Sequence, residues 1–527
     1  MTGSDERAAG TAVVVGAGVG GLASAMRLAH AGLDVTVVDR AAAPGGKMRA
    51  VESDAGPVDA GPTVLTMRYV FDRLFADVGL ELSDYATLIP ERVLARHYWP
   101  DGSTLDLFAD PDESAAAVRA FAGRKSEAEF RAFCAEAQRL FQTFDAPMMQ
   151  AEAPSLAGLS ARVALRPGLI PALAPLSTLA RRLARRFSDP RLRQLFGRYA
   201  TYVGGSPFEA PAVLSLIWHA EASGVWRAKG GMHALAQGLT RAAERLGVRF
   251  RLNTEVARIE APGGRVNAIA LADGTRLPCD LAVFNGDPRA LTAGLLGESV
   301  ECSVAEAGTE PRSLSANVWA FAARYTGPEL AHHTVFFGAD PKREFAPIAA
   351  GALPEDPTLY ICAQDRGAGT VRPEIERFEI IMNAPPLPGG QPEDTELCRT
   401  RTFQTLARHG VRFSPEPDPA RALTTPVGFN ALFPASQGSL YGRSPHGLMS
   451  AFQRPTARTR VRGLYLAGGG AHPGAGVPMA TLSGQHAAAA ILTDLASTST
   501  FRRTAMPGGM STGSATMAAA RSRSSPS

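Results

Sequence analysis

The sequence predicts an α/β protein: a Rossmann-like dinucleotide-binding domain interrupted by an inserted substrate domain of helices and mixed sheet. Two observations carry that expectation. A strand, glycine loop, helix, strand and acid follow one another within Ala12 to Asp39, and a second strand, glycine turn and helix appear more than 400 residues later.

The first unit opens with the apolar run Ala12 to Val15 and continues through Gly16-Ala17-Gly18-Val19-Gly20-Gly21 into a helical stretch. Gly16 allows the tight turn off the strand, Gly18 lets backbone N–H groups approach a pyrophosphate, and Gly21 lets the helix pack closely on the sheet. The helix N-terminus then faces the anion. Asp39 ends the second strand-like run, 23 residues after Gly16, where its carboxylate can accept hydrogen bonds from ribose hydroxyls, with Arg40 beside it in the cofactor-binding set.

The next residues choose the dinucleotide. Pro44-Gly45-Gly46-Lys47-Met48-Arg49 places a second glycine doublet and two cations where a nicotinamide-only domain would continue into its next helix. That pattern points to FAD, with Gly45 and Gly46 admitting the cofactor and Lys47 or Arg49 offsetting phosphate charge.

The far end supplies the matching half. Gly463 to Gly470 reads as a short buried strand entering a glycine turn at Gly468 and Gly469, and Val477 to Leu492 reads as a helix rich in small residues. Its positive N-terminal end suits the negative charge that develops at the flavin N1 and O2 region on reduction. Met479 and Ala480 are the candidates for the amides aimed there.

At 527 residues the chain is too long for one core and predicts three or four domain-sized units. Because the flavin motifs lie so far apart, the expected division is discontinuous: residues 1–72, 226–300 and 446–496 for FAD, 73–225 as a helical substrate- and membrane-facing region, 301–445 as a substrate sheet, and 497–527 as a disordered tail. Helical spacing marks Glu127 to Phe144 and Ala164 to Arg198, and a helix is expected from Met232 to Leu246. Strand-like runs follow at Arg249 to Asn253, Val256 to Glu260, Val266 to Leu271 and Leu281 to Asn285, with Val256 a candidate backbone contact for the adenine end. Four more, near Val318 to Ala322, Thr334 to Phe337, Thr358 to Ala363 and Phe378 to Met382, predict the second sheet.

A net charge of only +4 gives no support to nucleic-acid binding. Five cysteines without a CxxC pair argue for a reducing compartment and against structural zinc or an iron–sulfur cluster. The polar Met1 to Gly10 stretch leaves no room for a secretory signal, and no apolar run reaches the ~20 residues of a membrane span. The expected location is therefore cytoplasmic, peripheral on the inner membrane. The attachment expected is Ala161 to Ala200, where nine arginines against one acid, Asp189, alternate with leucines and phenylalanines. A cytosolic helix pair with a solvated basic face is the alternative.

Taken together, Gly16 to Gly21, Asp39, Pro44 to Arg49, Asp59-Ala60-Gly61-Pro62-Thr63, Lys229-Gly230-Gly231-Met232, Phe284-Asn285-Gly286-Asp287-Pro288 and Gly463 to Gly484 resemble the flavin amine-oxidase superfamily. Within it they resemble bacterial carotenoid desaturases related to phytoene desaturase, and Gly46 to Arg49 with Gly61 to Arg68 look most like those acting on hydroxylated or methoxylated neurosporene-type carotenoids, with phytoene desaturase itself, producing neurosporene or lycopene, the close runner-up. The resemblance implies non-covalent FAD, an acyclic carotenoid drawn from the membrane surface, and removal of two hydrogens from a saturated C–C bond by hydride transfer and proton loss.

With no second complete dinucleotide unit, the substrate itself is expected to reduce the flavin, and the terminal electron acceptor, oxygen or a quinone, stays open. The proton acceptor is also open. His472 is the one candidate near the flavin, although a histidine in a Gly/Pro loop is more often a structural hydrogen-bonder, and His332-His333 ranks below it. No metal site is expected. A soluble flavin amine oxidase and a non-catalytic flavin- and carotenoid-binding protein are the alternatives of other classes.

Overall fold

The computed structural model describes residues 10–165, 173–174, 177–367, 369–387, 394–447 and 449–504. Five parallel strands in the order Leu464–Leu466, Leu281–Phe284, Thr11–Val15, Asp34–Val38 and Arg249–Arg251 form the nucleotide-binding sheet. Val13, Val14, Val37, Ala282 and Val283 are buried on its two faces, as a parallel sheet covered on both sides requires. Helices Val19–His30, Met232–Arg245 and Val477–Thr504 share the core on one face.

The second sheet has eight strands. Its path runs Arg412–Ser414, Ser315–Thr326, Glu376–Ala384, Leu359–Ala363, His333–Phe336, Val93–Tyr98 and Thr104–Phe108, with Leu423–Thr424 also paired to Ser315–Thr326. The region expected to be helical, 73–225, therefore supplies two strands of this sheet. Val93–Tyr98 joins it in parallel with His333–Phe336, and the hairpin to Thr104–Phe108 turns at Asp101-Gly102, where Gly102 has φ +81°. One face carries Trp319, Phe321, Ile361, Phe378 and Ile380 packed with Leu406 of the helix Thr395–Arg408. The other face looks toward the nucleotide-binding domain and holds polar side chains, described below.

The helix predicted at Glu127 to Phe144 is longer, Pro111–Phe144, broken at Gly123 (φ 87°) and capped by Asp110, whose side chain accepts from the N–H groups of Asp112 and Glu113. Helix Val477–Thr504 runs eight residues into the expected tail, so the tail boundary at 497 is corrected; residues 505–527 lie outside the description.

The basic segment also departs from expectation. Where a membrane face was expected, Leu179–Arg186 and Pro190–Gly197 are a pair of short helices whose Leu179, Leu183, Leu192, Leu195 and Phe196 are buried with Phe130 and Phe133 of the long helix. Arg182 and Arg186 turn inward to the buried Glu136, and Arg191 lies over Phe121 while pairing with Asp189. These leucines build a core and cannot also enter a lipid interface. Arg181 and Arg185 stay exposed, and so do Leu156 and Leu165 at the two ends of helix Leu156–Ala164. Residues 166–172 and 175–176 of the segment lie outside the description.

Candidate active site

The glycine segments named from sequence meet at one place. Gly16, at φ +105°, donates its N–H to Val38 O at 2.8 Å, so the loop leaves the first strand directly over the end of the second. Asp39 accepts from the N–H groups of Ala17 at 2.6 Å and Ala41 at 2.8 Å, which sets its carboxylate at the rim of the loop. Gly45 donates its N–H to Ala17 O at 2.9 Å and bridges Gly18, lacing the second doublet to the first turn.

A residue without an assigned role in the sequence ties these pieces together. Asn285, directly after strand Leu281–Phe284, donates its side-chain amide to Gly16 O at 3.1 Å. A Cβ on Gly18 would stand 2.8 Å from that amide nitrogen, and one on Gly468 would stand 2.6 Å from the Asn285 carbonyl oxygen. The signal that could have found it is an amide residue at the end of a fully apolar strand, before Gly286. The loop has no room for side chains at Gly18, Gly20, Gly21 or Gly468, which leaves backbone N–H groups as its lining. Such a cradle fits a pyrophosphate.

Met479 and Ala480 lie in the first turn of helix Val477–Thr504. Ala480 N–H bonds back to Gly476 O at 2.8 Å, so it is already used within the helix, whereas Met479 precedes the intrahelical ladder. Gly469 O accepts from Arg454 at 3.0 Å, which holds the glycine turn against that buried arginine. Val256 opens strand Val256–Glu260, two residues after Thr254, whose N–H donates to Asp39 O at 2.9 Å.

The cations are placed differently from the phosphate role expected of them. Lys47 Nζ donates to Leu440 O at 2.6 Å and lies over Phe433, while Arg49 donates to Thr424 Oγ1 at 2.7 Å and lies over Phe429. Both clamp the doublet loop to the segment 424–440 of the substrate domain. Burial pulls the Lys47 ammonium down to about 8, against the opposing attraction of Asp287. Arg40 is exposed and reaches Ala431 O at 3.4 Å.

Between the two domains, Gly61 packs so tightly on Lys47 that a Cβ would meet its carbonyl oxygen at 1.9 Å. Thr63 Oγ1 then hydrogen-bonds Tyr360 OH at 2.7 Å, and Tyr360 OH reaches His333 Nδ1 at 2.6 Å. Asp59 accepts from the N–H groups of Met232 at 2.6 Å and His233 at 3.0 Å, capping helix Met232–Arg245 from a distant strand. A cavity of about 360 Å³ opens beside Asp59, Thr63, Gly231, His332 and Cys362. Burial pulls His332 down to about 4 and His333 well below its ordinary value, so both rings are neutral.

His472 is corrected as a proton acceptor. Its Nε2 is 2.9 Å from the Ala151 carbonyl, an acceptor to which it must donate, and its ring stacks on His486. Burial lowers it to about 4. It braces the 148–152 segment against the C-terminal helix, the work of a structural hydrogen-bonder.

The family model for flavin containing amine oxidoreductases matches residues 19–309. The chain belongs to that family. A hydroxyneurosporene desaturase of Cereibacter sphaeroides is 58% identical over 487 residues, covering 92% of this chain and 98% of that protein. A lycopene-forming phytoene desaturase of a Paracoccus species is 33% identical, covering 93% and 99%. Among solved structures, a putrescine oxidase variant superposes with TM-score 0.60 at 14% identity, covering 92% of this chain and 99% of that one, which shows the same fold. The flavin amine-oxidase architecture and FAD as the cofactor expected from the glycine segments are thereby established for this chain.

Proposed function

We propose that the chain is an FAD-dependent desaturase that introduces a C=C bond at the 3,4 position of an acyclic hydroxylated or methoxylated carotenoid, of the hydroxyneurosporene type. Its full-length likeness to the hydroxyneurosporene desaturase of Cereibacter sphaeroides carries the proposal. The residues around Gly18, Gly45, Asn285 and Gly468 would hold FAD, whose chemistry when bound is the acceptance of a hydride from a C–H bond. The chain's own part is to bind the polyene between the two domains, exclude water and align one C–H bond, with the Gly61 to Tyr69 segment as one wall.

The test supplies purified protein separately with phytoene and hydroxyneurosporene and reads products by absorbance shift and mass. Conversion of hydroxyneurosporene with one added double bond is expected, with phytoene left unchanged. Conversion of phytoene to neurosporene or lycopene, with hydroxyneurosporene untouched, would assign the chain to phytoene desaturation instead. Running the reaction anaerobically with and without a quinone identifies the electron acceptor.

The substrate's insolubility calls for a membrane surface, and no helix among the described residues is long and apolar enough to cross one. The exposed residues Leu156, Leu165, Arg181 and Arg185 are the proposed contact, in place of the whole basic segment. Binding to anionic liposomes should fall with salt and fall further when both leucines become Ser and both arginines Gln. Co-sedimentation equal to wild type would remove this surface from the membrane role. Arg182 and Arg186 are left intact in that design because their loss would strand the buried Glu136.

A further inference from the structure

Among the described residues, Glu379 is a fully buried carboxyl group whose two oxygens both lack a hydrogen-bond partner. It sits in the middle of strand Glu376–Ala384 with Ala320 and Cys362 opposite it on the neighbouring strands, on the sheet face that looks toward the nucleotide-binding domain. A buried carboxyl group without partners is costly, and native proteins keep such a group where something else supplies the missing contact.

Its surroundings say where that contact would be. Ala320, its cross-strand neighbour, packs against Val58 and Ala60, which flank Asp59 in the strand leading to Gly61. Arg49 and Asp59 are the charged groups acting on it, and the Arg49 Nε is itself buried without a partner. Glu379 therefore lies behind the cavity wall, beside Arg49 and Asp59, next to its strand neighbour Cys362, which lines the cavity together with Asp59 and Thr63. Burial, reinforced by Asp59 and opposed by Arg49, raises its carboxyl well above the ordinary range, toward the neutral acid.

We propose that Glu379 recognises the oxygen at the end of the carotenoid, and so sets the enzyme's preference for oxygenated over hydrocarbon substrates. This inference rests on the carotenoid reading given above. A neutral carboxylic acid offers one O–H donor and acceptor lone pairs. It can accept from a hydroxyl and donate to a methoxy oxygen, whereas a carboxylate could serve the hydroxyl alone. In a 3,4-desaturation the oxygen lies only a few bonds from the reacting C–C bond. The recognising group must therefore stand close to the segments that would hold the cofactor, and Glu379 lies beside Arg49 and Asp59 of those segments. A hydrocarbon end would leave the acid buried and unpaired, which is how a hydrogen-bonding site rejects an analogue that lacks the hydroxyl.

The test compares wild type, Glu379→Gln and Glu379→Leu, each as FAD-loaded protein, with hydroxyneurosporene, methoxyneurosporene and neurosporene. Both kcat/KM and the affinity of each carotenoid by absorbance titration are read. Gln keeps a donor and an acceptor in the same shape and should retain the preference for both oxygenated substrates within about tenfold. Leu should lose about 10- to 100-fold in affinity and kcat/KM for them, while binding neurosporene as well as wild type or better. An unchanged preference in Glu379→Leu would overturn the proposal, as would loss of turnover on all three substrates in a Glu379→Gln protein that still binds them. Should Leu not fold, Gln decides alone: a fall of more than tenfold in its preference for the oxygenated pair defeats the proposal, and retention supports it. Failure of the wild type to desaturate hydroxyneurosporene defeats the desaturase reading instead; the binding preference then still reports on Glu379.

Discussion

Gly18→Val is expected to give a folded protein that binds FAD about 10- to 100-fold more weakly, purifying with little of the 450 nm flavin absorbance of wild type. The reason for expecting a folded product is local. The atom a Cβ would strike, 2.8 Å away, is the side-chain amide nitrogen of Asn285, the mobile end of a rotatable group, and beyond that side chain the nearest atom is the Gly46 Cα at 4.0 Å. The amide can swing aside, but doing so breaks its bond to Gly16 O, and the added methyl groups then stand between the first glycine turn and the second doublet. The damage thus falls on the cradle and spares the core. A folded variant, by far-UV circular dichroism and a single cooperative melt, that retains normal flavin absorbance would overturn the assignment of this loop.

That cradle was legible in the sequence because its logic is local. Strand, turn, helix and acid lie within 28 residues, so the unit is readable whole, although only Gly21 makes room for a neighbour inside it, while Gly18 and Gly20 make room for Asn285 and Gly468 from distant segments. The joining of the N-terminal and C-terminal halves was legible for the same reason, since Gly468 and Gly469 repeat the pattern of a strand ending in a glycine turn. The hairpin of Val93–Tyr98 and Thr104–Phe108 was missed inside a region read as helical, although the Asp101-Gly102 pair between alternating apolar residues is a recognised hairpin signal.

What the sequence hid is long-range. Nothing near Arg182 and Arg186 announces that their partner is Glu136, on a helix about fifty residues earlier, so their leucine-rich surroundings read as a membrane face when they are a core. Lys47 and Arg49 read as phosphate ligands by position, yet their hydrogen bonds run to Leu440 and Thr424, nearly 400 residues on. Glu379 looked like any polar residue in a strand. Only the fold shows that it is buried and unpaired beside Ala320 and Cys362, with Arg49 and Asp59 as its charged neighbours.

Gly484→Ala is expected to do the opposite of Gly18→Val and damage the fold first. Gly484 lies in helix Val477–Thr504 where it crosses helix Val19–His30, and a Cβ there would sit 2.1 Å from Gly20 O and 2.9 Å from Gly20 C. Those atoms are backbone. They cannot move without shifting the start of helix Val19–His30, and Gly20 has no slack, because its own Cβ position lies 2.7 Å from the Gly468 N and 2.8 Å from Asn285 Oδ1. One methyl group therefore has to push apart two helices from opposite ends of the chain, or displace the glycine loop and the Gly468 turn together. Overpacking of this kind costs about 1–3 kcal/mol even where side chains can yield, and here only backbone is available, so the cost belongs at the upper end or beyond. The expected result is a urea midpoint and melting temperature well below wild type, with FAD released at the same temperature at which tertiary structure is lost, because the two helices carry both halves of the proposed cofactor cradle. Added FAD should recover part of the lost stability by mass action. A Gly484→Ala protein that melts within about 1 °C of wild type would show that the two helices do not meet as closely as this contact requires.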